Sequence, residues 1–302
     1  MLITEKQHQK ILKDLAKKKE ILPATSDPIF KAIMSRCPKY RADLVSRITG
    51  IPKDVILNTY VEKNSEYVID NALERKKVSD FVFGIDKAVI NIELNIEYYA
   101  GLIERNEGYA SKIKTDIVIK NQDYKLIPNV IQININRFGH FKSKEEILEF
   151  KSRDKSGIVE TDKFIKFHLN LKRIENKYEQ GSKLNKLEKE LLILTLKKVE
   201  EINKLSEGDE ELMEVARSLK DITYDINTIG LYYEDEERKR VENTKIKYYE
   251  ELALKKGEKR GLKMGLEQGK LETAKNLIAM NLPLKDIVKA TGLSEKQIKK
   301  LC

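Results

Sequence analysis

Two carboxylates within one short stretch are the side chains best suited to chemistry. Asp80 lies in the run Val78-Ser79-Asp80-Phe81-Val82-Phe83-Gly84, and Glu93 lies in Lys87-Ala88-Val89-Ile90-Asn91-Ile92-Glu93-Leu94-Asn95. Both runs are rich in β-branched and aromatic residues and are separated by Gly-Ile-Asp, which predicts an antiparallel hairpin. Strand side chains alternate, so Ile90, Ile92 and Leu94 turn to one face and Asn91, Glu93 and Asn95 to the other. Folding at the hairpin lets Asp80 and Glu93 meet across adjacent strands, where opposed side chains lie roughly 5 Å apart. Acids that close repel unless a proton or a cation stands between them. Hard divalent cations, Mg²⁺ above all, use one or two such carboxylates and leave room for phosphate oxygens. The pair is therefore a candidate metal-dependent phosphodiesterase centre. The plainer alternative is a hairpin whose polar face meets solvent.

The elements around this hairpin can be read from periodicity. An amphipathic helix carrying Ile11, Leu12 and Leu15 is stopped by Pro23. Thr25-Ser26-Asp27-Pro28 opens a second helix through Phe30, Ile33 and Met34, and a third spans Ala42 to Ile48. Residues 97–118 show a helical period in which Arg105, Tyr109 and Lys112 fall near one another, with Gly108 a possible break. Ile131, Ile133 and Ile135 alternate with Gln132, Asn134 and Asn136, and Ile165, Phe167, Leu169 and Leu171 form a further strand with His168 on its polar side. Apolar residues at three- and four-residue steps predict one helix over 183–206, and 209–230 and 234–275 also read as helical. Gly257, Gly261, Gly265 and Gly269 form a stripe in the last of these, either a helix contact between copies or a frayed linker. The tail from Leu284 to Leu301 reads as helix, Gly-containing turn and Ser-capped helix, with Lys296, Lys299 and Lys300 placed to meet phosphates.

Composition narrows the function classes. The 302 residues carry 58 Lys and Arg against 49 Asp and Glu, a net charge of +9 that suits a polyanionic partner. Two cysteines and three scattered histidines make neither a disulfide framework nor a zinc set, which points to a reducing cytoplasm. No run of about 18 apolar residues predicts a membrane span, and the opening residues lack the apolar stretch of a signal peptide.

Taken in order, these motifs resemble the PD-(D/E)xK nuclease superfamily, in the branch of recombination-promoting nucleases and putative transposases. Asp27-Pro28-Ile29-Phe30-Lys31 is similar to that branch's Asp-x-x-Phe-Lys opening. Asp80 and Ile92-Glu93-Leu94-Asn95 stand where it has its Asp and its Glu-x-Gln or Glu-x-Lys, and Arg105, Tyr109 and Lys112 fall in its basic-aromatic helix. Tyr124-Lys125-Leu126-Ile127-Pro128, the glycine stripe and the Thr-Gly-Leu-Ser-Glu tail also resemble it.

The resemblance implies an α/β fold, restriction-endonuclease-like, with a mixed central sheet flanked by helices. It also implies Mg²⁺ or Mn²⁺ held by Asp80 and Glu93. Asn95 would take the third position, where the family carries Lys or Gln; its amide is one methylene shorter than glutamine's and lacks lysine's charge. Gln132 or Lys112 is a candidate to compensate, and Arg105, Lys112 and Gln132 are candidates for contact with nucleic acid. The expected organisation is a nuclease domain over 1–175 and a helical extension over 176–302 for self-association or DNA docking. The expected activity is cytoplasmic, metal-dependent DNA endonuclease chemistry. Two rivals stay open: an inactive DNA-binding or assembly protein on the same fold, and an interaction protein built on the long helices after 183.

Overall fold

The structure is a computed structural model that describes residues 4–63, 79–117 and 123–301. Val78 of the first run lies outside the described residues. The chain begins with four helices, α1 (Glu5–Lys18), α2 (Asp27–Arg36), α3 (Pro38–Thr49) and α4 (Lys53–Thr59). Their starts and stops are local. Pro28 sits in the first turn of α2, where a missing N–H costs nothing, and α3 ends on Gly50 at φ 76°, a left-handed cap.

A six-stranded mixed sheet follows, formed by β1 (Val61–Glu62), β2 (Phe81–Ile85), β3 (Ala88–Asn95), β4 (Asn129–Asn136), β5 (Ile147–Arg153) and β6 (Val159–Asn170) in the order β1-β2-β3-β4-β6-β5. The β2–β3 hairpin is antiparallel, with Phe81 opposite Ile92; its turn falls at Asp86-Lys87, because Gly84 and Ile85 remain in the ladder. Strands β3, β4 and β6 are parallel, with Glu93 beside Asn134 and Asn134 beside His168. Strand β5, which the sequence did not disclose, covers the far edge by pairing antiparallel with β6.

The period-2 alternation gives the sheet two different faces. Ile90, Ile92, Ile133, Ile135, Phe167 and Leu169 enter the main core with Phe30, Ile33 and Leu44 of the N-terminal helices. The opposite face is covered by α5 (Leu102–Asp116), which packs Ala110 and Ile113 on Val82, Val89 and Val130. Helix α5 passes through Gly108 unbroken and starts after Gly101, whose φ of 91° favours a residue without Cβ.

Leu171 opens a helix rather than ending a strand: α6 (Leu171–Glu179), capped by Asn170, leads to α7 (Lys186–Leu192), α8 (Val199–Ser206) and α9 (Glu210–Tyr224). The single helix expected over 183–206 is two. Lys197 and Lys198 leave helical geometry to bridge the chain after α1, with the Ile21 amide donating to Lys197 O at 2.9 Å and Val199 donating to Lys19 O at 3.0 Å. Leu191, Ile202, Leu219 and Ile229 share the main core with the sheet. The first compact unit accordingly runs Met1–Asp235, and the expected boundary at 175 is corrected: the later helices complete the core that buries the sheet.

The second unit is Glu236–Cys302. It holds most of the long helix α10 (Ile226–Ala279), which is continuous through the four glycines, and then α11 (Leu284–Thr291) and α12 (Glu295–Ile298). Ala274, Ile287, Leu293 and Ile298 form a small core there. Ser294 caps α12 reciprocally with Gln297, as the sequence pattern requires. With four residues, however, α12 is about one turn, too short to lie along a groove as a reading helix.

Candidate functional site

The hairpin register brings the two acids together. Asp80 lies one step beyond the Phe81–Ile92 pair, which sets it opposite Glu93. The Leu94 amide donates to Asp80 Oδ2 at 2.7 Å and fixes that carboxylate against β3. Glu93 is 1 % exposed; Asn91 Nδ2 donates to its Oε1 at 3.1 Å, and its Oε2 is buried without a hydrogen bond. Burial is the main influence on both groups. It pushes the Asp80 carboxyl up to about 6, aided by repulsion from Asp27 and opposed by the Leu94 amide, Lys31 and Arg105. Burial and then the Asp80 charge push Glu93 well above the usual carboxylate range, against hydrogen bonds from Asn91 and Ser79. A buried acid pair with one oxygen lacking a hydrogen bond favours either a shared proton or a cation.

A polar ladder extends from this pair under α5. The parallel register aligns Asn91 with Gln132, Glu93 with Asn134 and Asn95 with Asn136. Asn91 Nδ2 donates to Gln132 Oε1 at 2.8 Å, and Gln132 Nε2 donates to Asn134 Oδ1 at 3.1 Å. Asn106 of α5 donates to both Asn134 and Asn95, at 3.0 and 3.3 Å. Asn134 and Asn136 reach the ring of His168 at 3.4 and 3.3 Å, and burial lowers that imidazole to about 4, so it is neutral at physiological pH. Burying so many amides is tolerable because nearly all of their polar atoms find partners, Asn91 Oδ1 being an exception.

Comparison with protein-family models, curated proteins and solved structures finds no match.

Asn95 is 4 % exposed and tightly held: its Nδ2 donates to Asn136 Oδ1 at 2.9 Å, while its Oδ1 accepts from Arg105 at 3.2 Å and from Asn106. Its acceptor lone pairs are filled, which leaves the amide as a brace for the strands and for Arg105. Arg105 is the cation that reaches the acid pair. Its Nη2 lies 3.9 Å from Glu93 Oε2, and its guanidinium lies over the rings of Tyr99 and Tyr109, 5.7 and 5.3 Å from their centroids. Lys112 forms an ion pair with Asp116 at 3.4 Å one turn further along α5. Gln132 is fully buried inside the ladder, so the expectation that it touches nucleic acid is corrected; it braces Glu93 through Asn91.

Residue spacing alone did not single out Ser79, Asn106 or the Asp27–Lys31 pair for this site. Lys31 donates to Asp27 Oδ2 at 3.2 Å, and both act on the Asp80 charge from α2. Asn106 had a signal, an amide inside α5 next to Arg105, but its partners come from strands 11 and 28 positions away. Among the described residues no group of three or more His, Cys, Asp and Glu side chains is arranged to hold a metal, and no helix is long and apolar enough to cross a membrane. The donor set is two carboxylates, one with an oxygen that has no hydrogen bond and only the Arg105 guanidinium 3.9 Å away, which fits a hard cation that keeps most of its waters and takes phosphate oxygens.

Proposed function

We propose that this protein is a divalent-metal-dependent DNA endonuclease of restriction-endonuclease-like fold, with Asp80 and Glu93 as the metal-holding carboxylates. The observation that carries the reading is the facing of these two acids, Asp80 just before β2 and Glu93 on β3, with Glu93 Oε2 buried without a hydrogen bond and only the more distant Arg105 guanidinium near it. Mg²⁺ or Mn²⁺, when held there, supplies a bound water of lowered pKa and charge neutralisation at phosphate. The protein's own part is positional. The Leu94 amide and Asn91 aim the two carboxylates, and the ladder beneath them braces β3 and β4 at the centre of the sheet. Arg105, braced by Asn95 and Asn106 and flanked by two tyrosines, offers a fixed guanidinium to a phosphate oxygen. The test is nicking of supercoiled plasmid with Mg²⁺ or Mn²⁺. The native chain should nick, while Asp80→Ala and Glu93→Gln should each lower the rate by at least 100-fold; equal rates in all three overturn the assignment.

A second reading has its own support. Asn95 has no charge, and its carbonyl is committed to Arg105 and Asn106, so the third position of the family pattern offers no cation. A chain weakened in this way would bind DNA without cutting it, and the same assay separates the two. Self-association through α10 completes the proposal: Leu254, Leu262, Met264 and Leu266 are exposed there, and, apart from the helix's own backbone, no described atom lies within 4 Å of where a Cβ would stand on Gly257, Gly261, Gly265 or Gly269.

A further inference from the structure

The carboxyl ends of parallel strands are where open α/β sheets accept ligands, and here the loops at those ends are lined with rings. Strand β3 ends at Asn95 and leads into Tyr98 and Tyr99, which are 49 % and 47 % exposed. Strand β4 ends at Asn136 and leads into Arg137-Phe138-Gly139-His140-Phe141-Lys142-Ser143-Lys144, three basic residues and three rings without an acid. The two loops meet. Tyr98 stacks on His140 at 4.7 Å and 23° and meets Phe138 edge-on at 5.4 Å. His140 continues to Phe141 at 4.8 Å. Tyr99, next to Tyr98, lies under the same Arg105 that stands 3.9 Å from Glu93. Exposed Tyr98, Tyr99 and His140, with half-buried Phe138 and Phe141 against them, thus line the carboxyl ends of β3 and β4 beside the acid pair.

Exposed rings at a polar site are costly unless a flat partner covers them, and unpaired bases are flat partners with a phosphate attached. A continuous duplex stacks its bases on each other and presents phosphates and groove edges, so it leaves these rings uncovered. We infer that the Tyr98–His140 row is a base-stacking platform for single-stranded DNA, so that the substrate of the Asp80–Glu93 site is an unpaired or splayed strand rather than intact duplex. This inference rests on the nuclease reading for the word substrate and on the loop geometry alone for the binding.

The test is fluorescence anisotropy of the full chain in EDTA at one fixed ionic strength, with a labelled 15-nucleotide single strand and a blunt duplex of the same length. The single strand is expected to bind at least 10-fold tighter. Tyr98→Ala should weaken single-strand binding by about 5- to 100-fold and leave duplex binding unchanged, whereas Tyr98→Phe, which keeps the ring, should bind as the native chain does. A strand carrying 2-aminopurine should be quenched by the native chain and by Tyr98→Phe, and not by Tyr98→Ala. Equal or tighter binding of duplex, no binding of either DNA, or a Tyr98→Ala loss shared equally by both DNAs overturns the inference. Because EDTA suppresses cutting, single-strand preference with no Mg²⁺- or Mn²⁺-dependent cutting of either the plasmid or the single strand refutes the nuclease reading alone. Nicking by a chain indifferent to Tyr98→Ala refutes the stacking platform alone.

Discussion

Replacing Asp80 by Asn should make the metal-free protein more stable at neutral and alkaline pH. Burial raises the Asp80 carboxyl from 3.8 to about 6, so the folded chain holds this proton more tightly than the unfolded chain does. A group raised in this way contributes its full stability below pH 3.8 and loses it as pH climbs through about 6. The interval corresponds to about 3 kcal/mol at complete burial. Part of the Asp80 side chain still reaches solvent, which screens the penalty, so about 1 to 2 kcal/mol is the reasonable expectation. Asparagine keeps an oxygen for the Leu94 amide and carries no charge toward Glu93 or Asp27. In EDTA at pH 8, chemical denaturation should place Asp80→Asn about 1 to 2 kcal/mol above the native chain, and the gap should close by pH 4. Adding Mn²⁺ should stabilise the native chain, by about 2.7 kcal/mol at a hundredfold excess over its Kd, and leave Asp80→Asn unmoved. A variant less stable than the native chain at pH 8, or equal Mn²⁺ shifts in both, would refute the reasoning.

Three other expectations follow from particular side chains. Asn106→Ala removes two donors from Asn95 and Asn134 and strips Arg105 of a brace, so denaturation should show a loss of about 2 to 4 kcal/mol, and any nicking rate should fall with it. Glu190, fully buried beside Asp43, is pushed up to about 9 by that burial and by its carboxyl neighbour. Its stabilising proton is lost as pH rises from 4.5 toward 9, at no more than about 1.4 kcal/mol per pH unit. Glu190→Gln, which cannot ionise, should therefore match the native chain near pH 5 and exceed it at pH 9, and a variant that weakens in parallel with the native chain would contradict this. Gly261→Ala with Gly265→Ala should lower self-association in sedimentation runs. Each alanine favours an isolated helix by about 1 kcal/mol, so a raised helix content with unchanged mass would show instead that the stripe touches no second copy.

The sequence by itself determined what local rules control. Alternating isoleucines and amides defined β3 and β4 and their two faces, Pro28 and Ser294 marked helix starts, and Asp80 and Glu93 were legible as acids on neighbouring strands of one hairpin, although the register that sets them opposite comes from the turn at Asp86-Lys87 rather than at Gly-Ile-Asp. Three things were decided only by tertiary contacts. The stretch around Lys197 carries helical periodicity yet becomes extended, because its backbone pairs with Lys19 and Ile21 nearly 180 residues earlier. The compact unit reaches Asp235 because one face of the sheet needs α7 to α9 to be covered, and no count of local periodicity shows which surface a helix will bury. Asn95 could be numbered from the sequence, but its role could not. Whether that amide meets substrate or is consumed by Arg105, Asn106 and Asn136 depends on strands and a helix brought together from 10 to 41 positions away, and hydrogen bonding saturates with whichever partners the fold delivers.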